Sequence, residues 1–162
     1  MIRSAKRKLP DPSLPHAACT CGSLRKASRR LSQFYDAALA PAGIKSTQFS
    51  ILSELERGSP AGSVTVCELA AAMVMDRSTL GHNLRPLARD ELVALRHSSD
   101  DRRKRFVVLT RKGRSLLQRA RRLWWHAEGR FEATFGKASA ARLRAVLLRI
   151  ANNRELDSQP TG

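Results

Sequence analysis

Apolar residues recur at helical spacing over most of this chain, and the places where that rhythm breaks divide it into elements. Leu24, Ser28, Leu31, Tyr35 and Ala38 lie on one helical face, widened by Phe34 and Leu39, and Pro41 with Gly43 ends the run. Ser46 is placed to cap a second helix whose apolar face is Phe49, Leu52 and Leu55, closed by Gly58-Ser59-Pro60. Thr65-Val66-Cys67-Glu68 then has the capping-box pattern, and Asp76 stands as an N-cap before Arg77-Ser78-Thr79-Leu80. Two short helices follow from these signals. In the second, Leu80, Leu84 and Leu87 form a stripe at i, i+4 and i+7 that must be buried. Next come LVALRH and FVVLT on either side of the polar run SSDDRRKR, which reads as strand, tip, strand; Ser63-Val64-Thr65 can add a short third strand. From Thr110 a long helix is expected to about Phe135, carrying Leu116 and Leu117. Gly136 interrupts it, and Ser139 is placed to cap a last helix with Leu143, Val146, Leu147 and Ile150. No internal repeat is visible.

The expected fold is mainly α with a small β wing: a winged helix-turn-helix with long N- and C-terminal dimerisation helices. Its segments are a flexible basic arm (1–18), a dimerisation helix (19–45), the winged DNA-binding lobe (46–110), C-terminal dimerisation helices (111–155) and a flexible tail (156–162). The dimer follows from the long helices, whose apolar faces exceed what the winged lobe can cover. Each large apolar side chain gains roughly 1.5–3 kcal/mol on burial, so a second copy is the expected cover. Pro86 lies inside the second short helix, where it removes an amide donor. Because the leucine stripe continues to Leu87, a bend near His82–Arg85 is expected rather than a stop.

Charge narrows the function. The 162 residues suffice for one domain-sized core, and 30 Lys+Arg against 14 Asp+Glu leave a formal net charge of +16. Such a surplus attracts polyanions. Its spread through patterned helices and the ribbon tip favours nucleic acid over an anionic membrane, for which no long apolar segment or lipid anchor is seen. The N-terminal stretch is basic and proline-bearing and lacks the apolar middle of a secretory signal. With three cysteines and no paired framework, a reducing cytoplasm is the expected setting. There is no phosphate loop, no His/Glu metal motif and no nucleophile with a base, so neither an enzyme nor a cofactor or metal is expected.

Double-stranded operator DNA is therefore the expected partner. In the second short helix Arg77, Ser78, Thr79, His82, Asn83 and Arg85 surround the face opposite the leucines. Arginine can bridge guanine O6 and N7, asparagine can pair with adenine, and serine or threonine serves base or phosphate. Some of these contacts are expected only to position the protein on phosphates. In the ribbon, Arg102, Arg103 and Arg105 at or beside the tip are the wing's contribution. A sequence-independent architectural DNA binder is the competing reading, and a protein-interaction module would leave the basic face unexplained.

This ordered series resembles the MarR family of bacterial transcriptional regulators. The matching residues are Glu68-Leu69-Ala70, Asp76-Arg77-Ser78-Thr79-Leu80, Leu92-Val93, Asp101-Arg102-Arg103, and Leu109-Thr110 followed by Gly113. The similarity spans roughly Cys19 to Arg154. It implies a homodimer on pseudopalindromic DNA, expected to repress, and released by a small ligand or by oxidation. It also implies that Arg102 or Arg103 enters the minor groove while Asp101 braces a neighbouring arginine. Two switches are open. Cys19 and Cys21 sit at the start of the first helix beside Arg25 and Lys26, a setting that favours the thiolate. Peroxide-sensing relatives use a cysteine in their first helix; the alternative is two residues with no redox task. A zinc site would need further ligands such as Cys67, which is expected to serve in packing instead. The second switch is a pocket for a phenolic or aromatic effector, with Phe34, Tyr35, Phe49, Trp124 and Trp125 as lining and Arg29 or Arg30 for an anionic group.

Overall fold

The structure, a computed structural model, describes residues 19–58, 63–97 and 104–156. Its elements are α1 (Thr20–Leu39), a 3-10 turn (Ala40–Ala42), α2 (Ser46–Gly58), β1 (Ser63–Thr65), α3 (Val66–Ala72), α4 (Arg77–Arg89), β2 (Val93–His97), β3 (Arg105–Leu109), α5 (Arg111–Phe135) and α6 (Lys137–Ala151), with a short 3-10 turn at Arg154–Leu156. The chain divides into two units, Met1–Phe34 and Tyr35–Gly162. In the first, the described residues are the opening turns of α1; every other element lies in the second.

Helix boundaries follow local chemistry. Gly43 takes a left-handed conformation (φ 73°) that ends the turn after α1. The capping box at Thr65 is formed in full: Glu68 N–H donates to Thr65 Oγ1 (3.2 Å) and Thr65 N–H donates to Glu68 Oε2 (2.9 Å). Two caps differ from expectation. Ser46 is the first helical residue of α2 rather than its cap, and its N–H and hydroxyl both donate to Asp36 Oδ1 at 2.6 Å. The N-terminal position falls to Lys45, whose N–H donates to Gln48 Oε1 (2.9 Å). Likewise α6 begins at Lys137, before Ser139, with Gly136 (φ 84°) as the break and no side-chain cap. A glycine that can turn at positive φ restarts a helix without needing a hydroxyl. Helix α4 runs through Pro86 to Arg89, held by its buried leucines Leu80, Leu84 and Leu87.

The sheet order is β1-β3-β2, all antiparallel. Alternation along β3 puts Val107 and Leu109 in the core. Around them pack Leu39, Ile51, Leu52, Leu69, Leu80, Leu87 and Leu117, which form one cluster with α2, α3, α4 and the first half of α5. The base of the wing is locked to α5 through three groups. Thr110 Oγ1 donates to the carbonyls of Glu91 (2.8 Å) and Leu92 (3.1 Å) and accepts from Gly113 N–H (2.9 Å).

Two non-glycine residues among those described have positive φ, Val74 and Glu91 (58°), and Val74 is the β-branched one. Val74, in the turn between α3 and α4, has φ 50° and an exposed side chain. The left-handed region costs an L-residue about 1–2 kcal/mol, and branching at Cβ makes it worse. Val74→Gly relieves that strain and loses no buried surface. A gain of up to about 1 kcal/mol is expected from denaturant unfolding, net of glycine's extra entropy when unfolded. Equal or lower stability would show that the turn is not under strain.

Candidate nucleic-acid interface

The interface is built on α4 because three leucines hold its inner face and its first turn is tied down by a carboxylate. Asp76 Oδ1 accepts from Thr79 N–H (2.8 Å) and Asp76 Oδ2 from the Thr79 hydroxyl (2.6 Å). These bonds from Thr79, joined by Ser78, pull the Asp76 carboxyl down to about 2 from 3.8. Its folded-state pKa is depressed, so the cap stabilises fully above the ordinary carboxylate range and is lost as pH falls toward 2. An acid titration followed by circular dichroism should therefore show wild type losing stability between about pH 4 and 2. Asp76→Asn, which keeps an acceptor but does not ionise, should lose less over that interval. Identical profiles would exclude Asp76 as the source.

The expected DNA-facing residues share this helix but not the same freedom. Arg77, Ser78, His82 and Arg85 are exposed. Thr79 is exposed too, yet its hydroxyl is engaged by Asp76, and Asn83 Nδ2 donates back to the Thr79 carbonyl at 2.8 Å. Ser78, His82 and Arg85 fall on one stripe at i, i+4 and i+7, and Arg89, absent from the sequence reading, extends it at i+11. Arg89 also pairs with Asp90 (2.9 Å). A cleft of about 580 Å³ beside this stripe is lined by His82, Asn83, Arg85, Pro86 and Arg89 and, from the start of α2, Lys45, Thr47 and Gln48. Lys45 and Thr47 therefore stand next to this face of α4. Only the packing of α2 against α4 discloses this, because more than thirty residues of chain intervene and no spacing rule links them.

On the wing, His97 faces Arg105 across the β2–β3 ladder, and Lys104 and Arg105 are exposed. Arg105 shares the face of Val107 and Leu109 but lies beyond the core at the tip end of the strand. Asp101, Arg102 and Arg103 lie outside the described residues.

The other named residues are placed as follows. Cys19 and Cys21 are exposed at the start of α1, where Gly22 N–H points to Cys19 Sγ at 3.4 Å. Cys67 is exposed as well, so it does not pack in the core as expected; it sits in the first turn of α3. Arg29, Arg30 and Phe34 lie on α1, the two arginines exposed. Of the aromatic set, Phe49 is core and stacks on Trp124 (6.0 Å), Trp124 meets Trp125 edge-on (4.8 Å), and Trp125 is largely exposed. The Tyr35 hydroxyl donates to Glu128 Oε2 (2.6 Å), and Arg144 pairs with both Glu128 and Glu132. Burial, then the bond to Glu128, pushes the Tyr35 phenol up, so it remains a neutral donor. None of these aromatic residues lines the cleft beside α4. Among the described residues no group of three or more His, Cys, Asp or Glu is placed to hold a metal, and no helix is long and apolar enough to cross a membrane.

Residues 42–104, which span the end of the α1–α2 connection, α2 to α4 and the first wing strand, match the MarR family. Beyond that segment the chain is also similar to the transcriptional regulator MosR of M. tuberculosis, solved in complex with DNA. The two are 35% identical over 87% of this chain and 99% of MosR, with a TM-score of 0.76. The chain belongs to the MarR family of transcriptional regulators. A second MarR-like structure, the transcriptional repressor CouR bound to a 23-mer DNA duplex, is 26% identical over 84% of this chain and 94% of its own, with a TM-score of 0.74. Comparison with curated proteins gave no match. MarR-family proteins are transcriptional regulators, and the matched residues include α2, α3, α4 and the first strand of the β2–β3 ribbon.

Proposed function

We propose that this MarR-family protein is a homodimeric repressor. It binds a pseudopalindromic operator by laying the outer face of α4 in the major groove and the wing in the adjacent minor groove. The observation that carries this reading is the exposed stripe Ser78, His82, Arg85 and Arg89 on a helix whose inner face and first turn are both held rigid. Arg77, Thr79 and Asn83 flank it at the N-terminal half, the end that reaches base edges in helix-turn-helix proteins. Lys45, Thr47 and Arg89 are assigned to phosphates, and Arg102, Arg103 and Arg105 to the wing contact, with Asp101 bracing. A second copy is supported by α6, in which Ala140 alone is buried while Leu143, Val146, Leu148 and Ile150 are exposed. Phe135 and Trp125 on α5 are exposed as well. Uncovered area of this kind marks an interaction site.

Release from DNA is assigned to one of two inputs. CouR is also solved with p-coumaroyl-CoA, which supports a small, aromatic effector; Phe34, Tyr35, Phe49, Trp124, Trp125 and Arg29 remain its proposed surroundings. The exposure of Cys19 and Cys21 supports the other. Peroxide would oxidise a thiolate to the sulfenic acid and be reduced to water or alcohol, removing the sulfur acceptor at the start of α1. Competition between the promoter region of its own gene and random duplex at physiological salt tests the main reading. A regulator keeps a preference on the order of 10³ or more. Equal binding to both would make the protein an architectural DNA binder, driven by its +16 charge. Repeating the assay with peroxide, on wild type and on Cys19→Ser/Cys21→Ser, separates the inputs: an identical response from both removes the redox switch.

A further inference from the structure

Helix α6 buries little of itself. Of its fifteen residues only Ala140 is buried and only Leu147 half-buried. The elbow at Gly136 (φ 84°) is open too: a Cβ there would meet nothing closer than Ser139 Oγ at 3.9 Å. What ties α6 back to α5 is polar. The Arg144 guanidinium pairs through Nη1 with Glu128 Oε1 and through Nη2 with Glu132 Oε1 (3.0 Å). Glu128 and Glu132 stand one turn apart on α5, so a single planar fork reaches both. Among the described residues Glu128 is the only charged side chain that is buried. Its second oxygen, Oε2, accepts from the Tyr35 hydroxyl (2.6 Å), in the last turns of α1.

Such a bridge holds direction better than it holds the fold. A buried ion pair contributes little net stability, because desolvation offsets the attraction, yet removing one partner leaves a charge unpaired. Thin apolar contacts between helices permit sliding. Charge-assisted bonds to a planar guanidinium fix the geometry. With both oxygens of Glu128 engaged, α6 cannot turn or slip on α5 without orphaning a buried carboxylate. The lever is long. Helix α5 runs 25 residues from the lobe to the elbow, about 37 Å at 1.5 Å per residue. A tilt of about 10° at the elbow would move the far end by roughly 6 Å, close to the rise of two base pairs.

We propose that Arg144, Glu128 and Tyr35 are positioning residues for operator recognition: with Glu132 they lock the α5–α6 elbow and so set the separation of the two DNA-binding lobes. This rests on the dimeric reading above, in which α6 joins the two copies and each α5 carries a lobe. None of the four is assigned to DNA. They act on which half-site spacing the dimer accepts, since that spacing follows from the geometry of the dimer.

The test first reads lobe separation without DNA. In the intact chain carrying Cys19→Ser/Cys21→Ser, the exposed Cys67 on α3 takes one spin label per protomer. Pulsed electron–electron double resonance then gives the distance across the dimer, and one narrow distribution is expected. Glu128→Gln/Arg144→Gln, which leaves no buried charge unpaired, should about double its width while the chain stays folded and dimeric. Arg144→Lys, a point charge in place of the fork, should broaden it less. In parallel, duplexes from the promoter region of the protein's own gene are altered by two base pairs between the half-sites. Wild type should bind them on the order of ten-fold more weakly than the unaltered duplex, and the double variant to within about three-fold. An unchanged width, or a spacing preference as sharp as wild type's, in the folded dimeric variant would overturn the proposal. Equal loss of affinity at every spacing would do the same, because it marks a merely structural role. If the double variant does not fold, Tyr35→Phe, which deletes one hydrogen bond, carries the same comparison, and a width equal to wild type's overturns the proposal. A wild type with no distance across a dimer ends the dimeric reading and this proposal with it. One with a narrow distance that selects no operator ends the operator reading alone and leaves the width comparison to decide the elbow lock.

Discussion

Gly113→Ala should destabilise the protein by about 3 kcal/mol or more, as an overpacked site does when the obstructing group cannot move. A Cβ built at Gly113 would lie 2.1 Å from the carbonyl oxygen of Leu92 and 2.8 Å from Leu109 Cδ1. The oxygen belongs to backbone at the start of β2 and already accepts from Thr110 Oγ1 and from Thr110 N–H (3.2 Å). Neither chain can retreat without breaking the lock between wing and α5. Native domains have only about 5–15 kcal/mol to lose, so the variant should show a clearly lowered denaturant midpoint and poor recovery. The control is Gly81→Ala, also in a helix but with open space around the added methyl. It should be neutral or stabilise by about 0.5–1 kcal/mol. Equal effects at the two glycines would mean that the close approach at Leu92 does not constrain the fold.

Arg102→Ala/Arg103→Ala should weaken operator binding on the order of 10²–10³-fold while leaving the lobe folded. Four arginines are removed from a dimer, two per protomer. Each phosphate contact contributes about 0.9 to the slope of log affinity against log salt, so that slope should flatten by up to about 4 units. If one arginine of each pair reads the minor groove instead, the flattening is about half as large and preference for the operator falls with affinity. An unchanged slope and affinity would remove the wing from the interface. Arg105→Ala, on β3 with its strand partner His97, is expected to lie between wild type and the double variant.

Much of the architecture could be read before any coordinates because it rests on short-range chemistry. Thr65 with Glu68 and Asp76 with Thr79 each specify a helix start within four residues, and each forms as expected. The period-two pattern of FVVLT and the three leucines of α4 likewise declare which face is buried. Single hydroxyls were weaker guides. Ser46 and Ser139 have the right chemistry for caps, but Asp36 ten residues away claims Ser46, and Gly136 turns the chain before Ser139 is reached. Cys67 followed the same rule: a small apolar side chain near Leu69 suggested packing, while the fold leaves it exposed to solvent.

Identity as a winged, positively charged regulator follows from local order along the chain, since capping, periodicity and charge act over a few residues and need no knowledge of the rest. Distance in sequence marks where such reasoning ends. Lys45 and Thr47 beside α4, the carbonyl of Leu92 against Gly113, Tyr35 bonded to Glu128, and Arg144 set against Glu128 all pair residues with no periodic relation. Packing alone brings them together, because burying the leucines of α2, α4 and α5 in one core sets where every outward-facing side chain must stand.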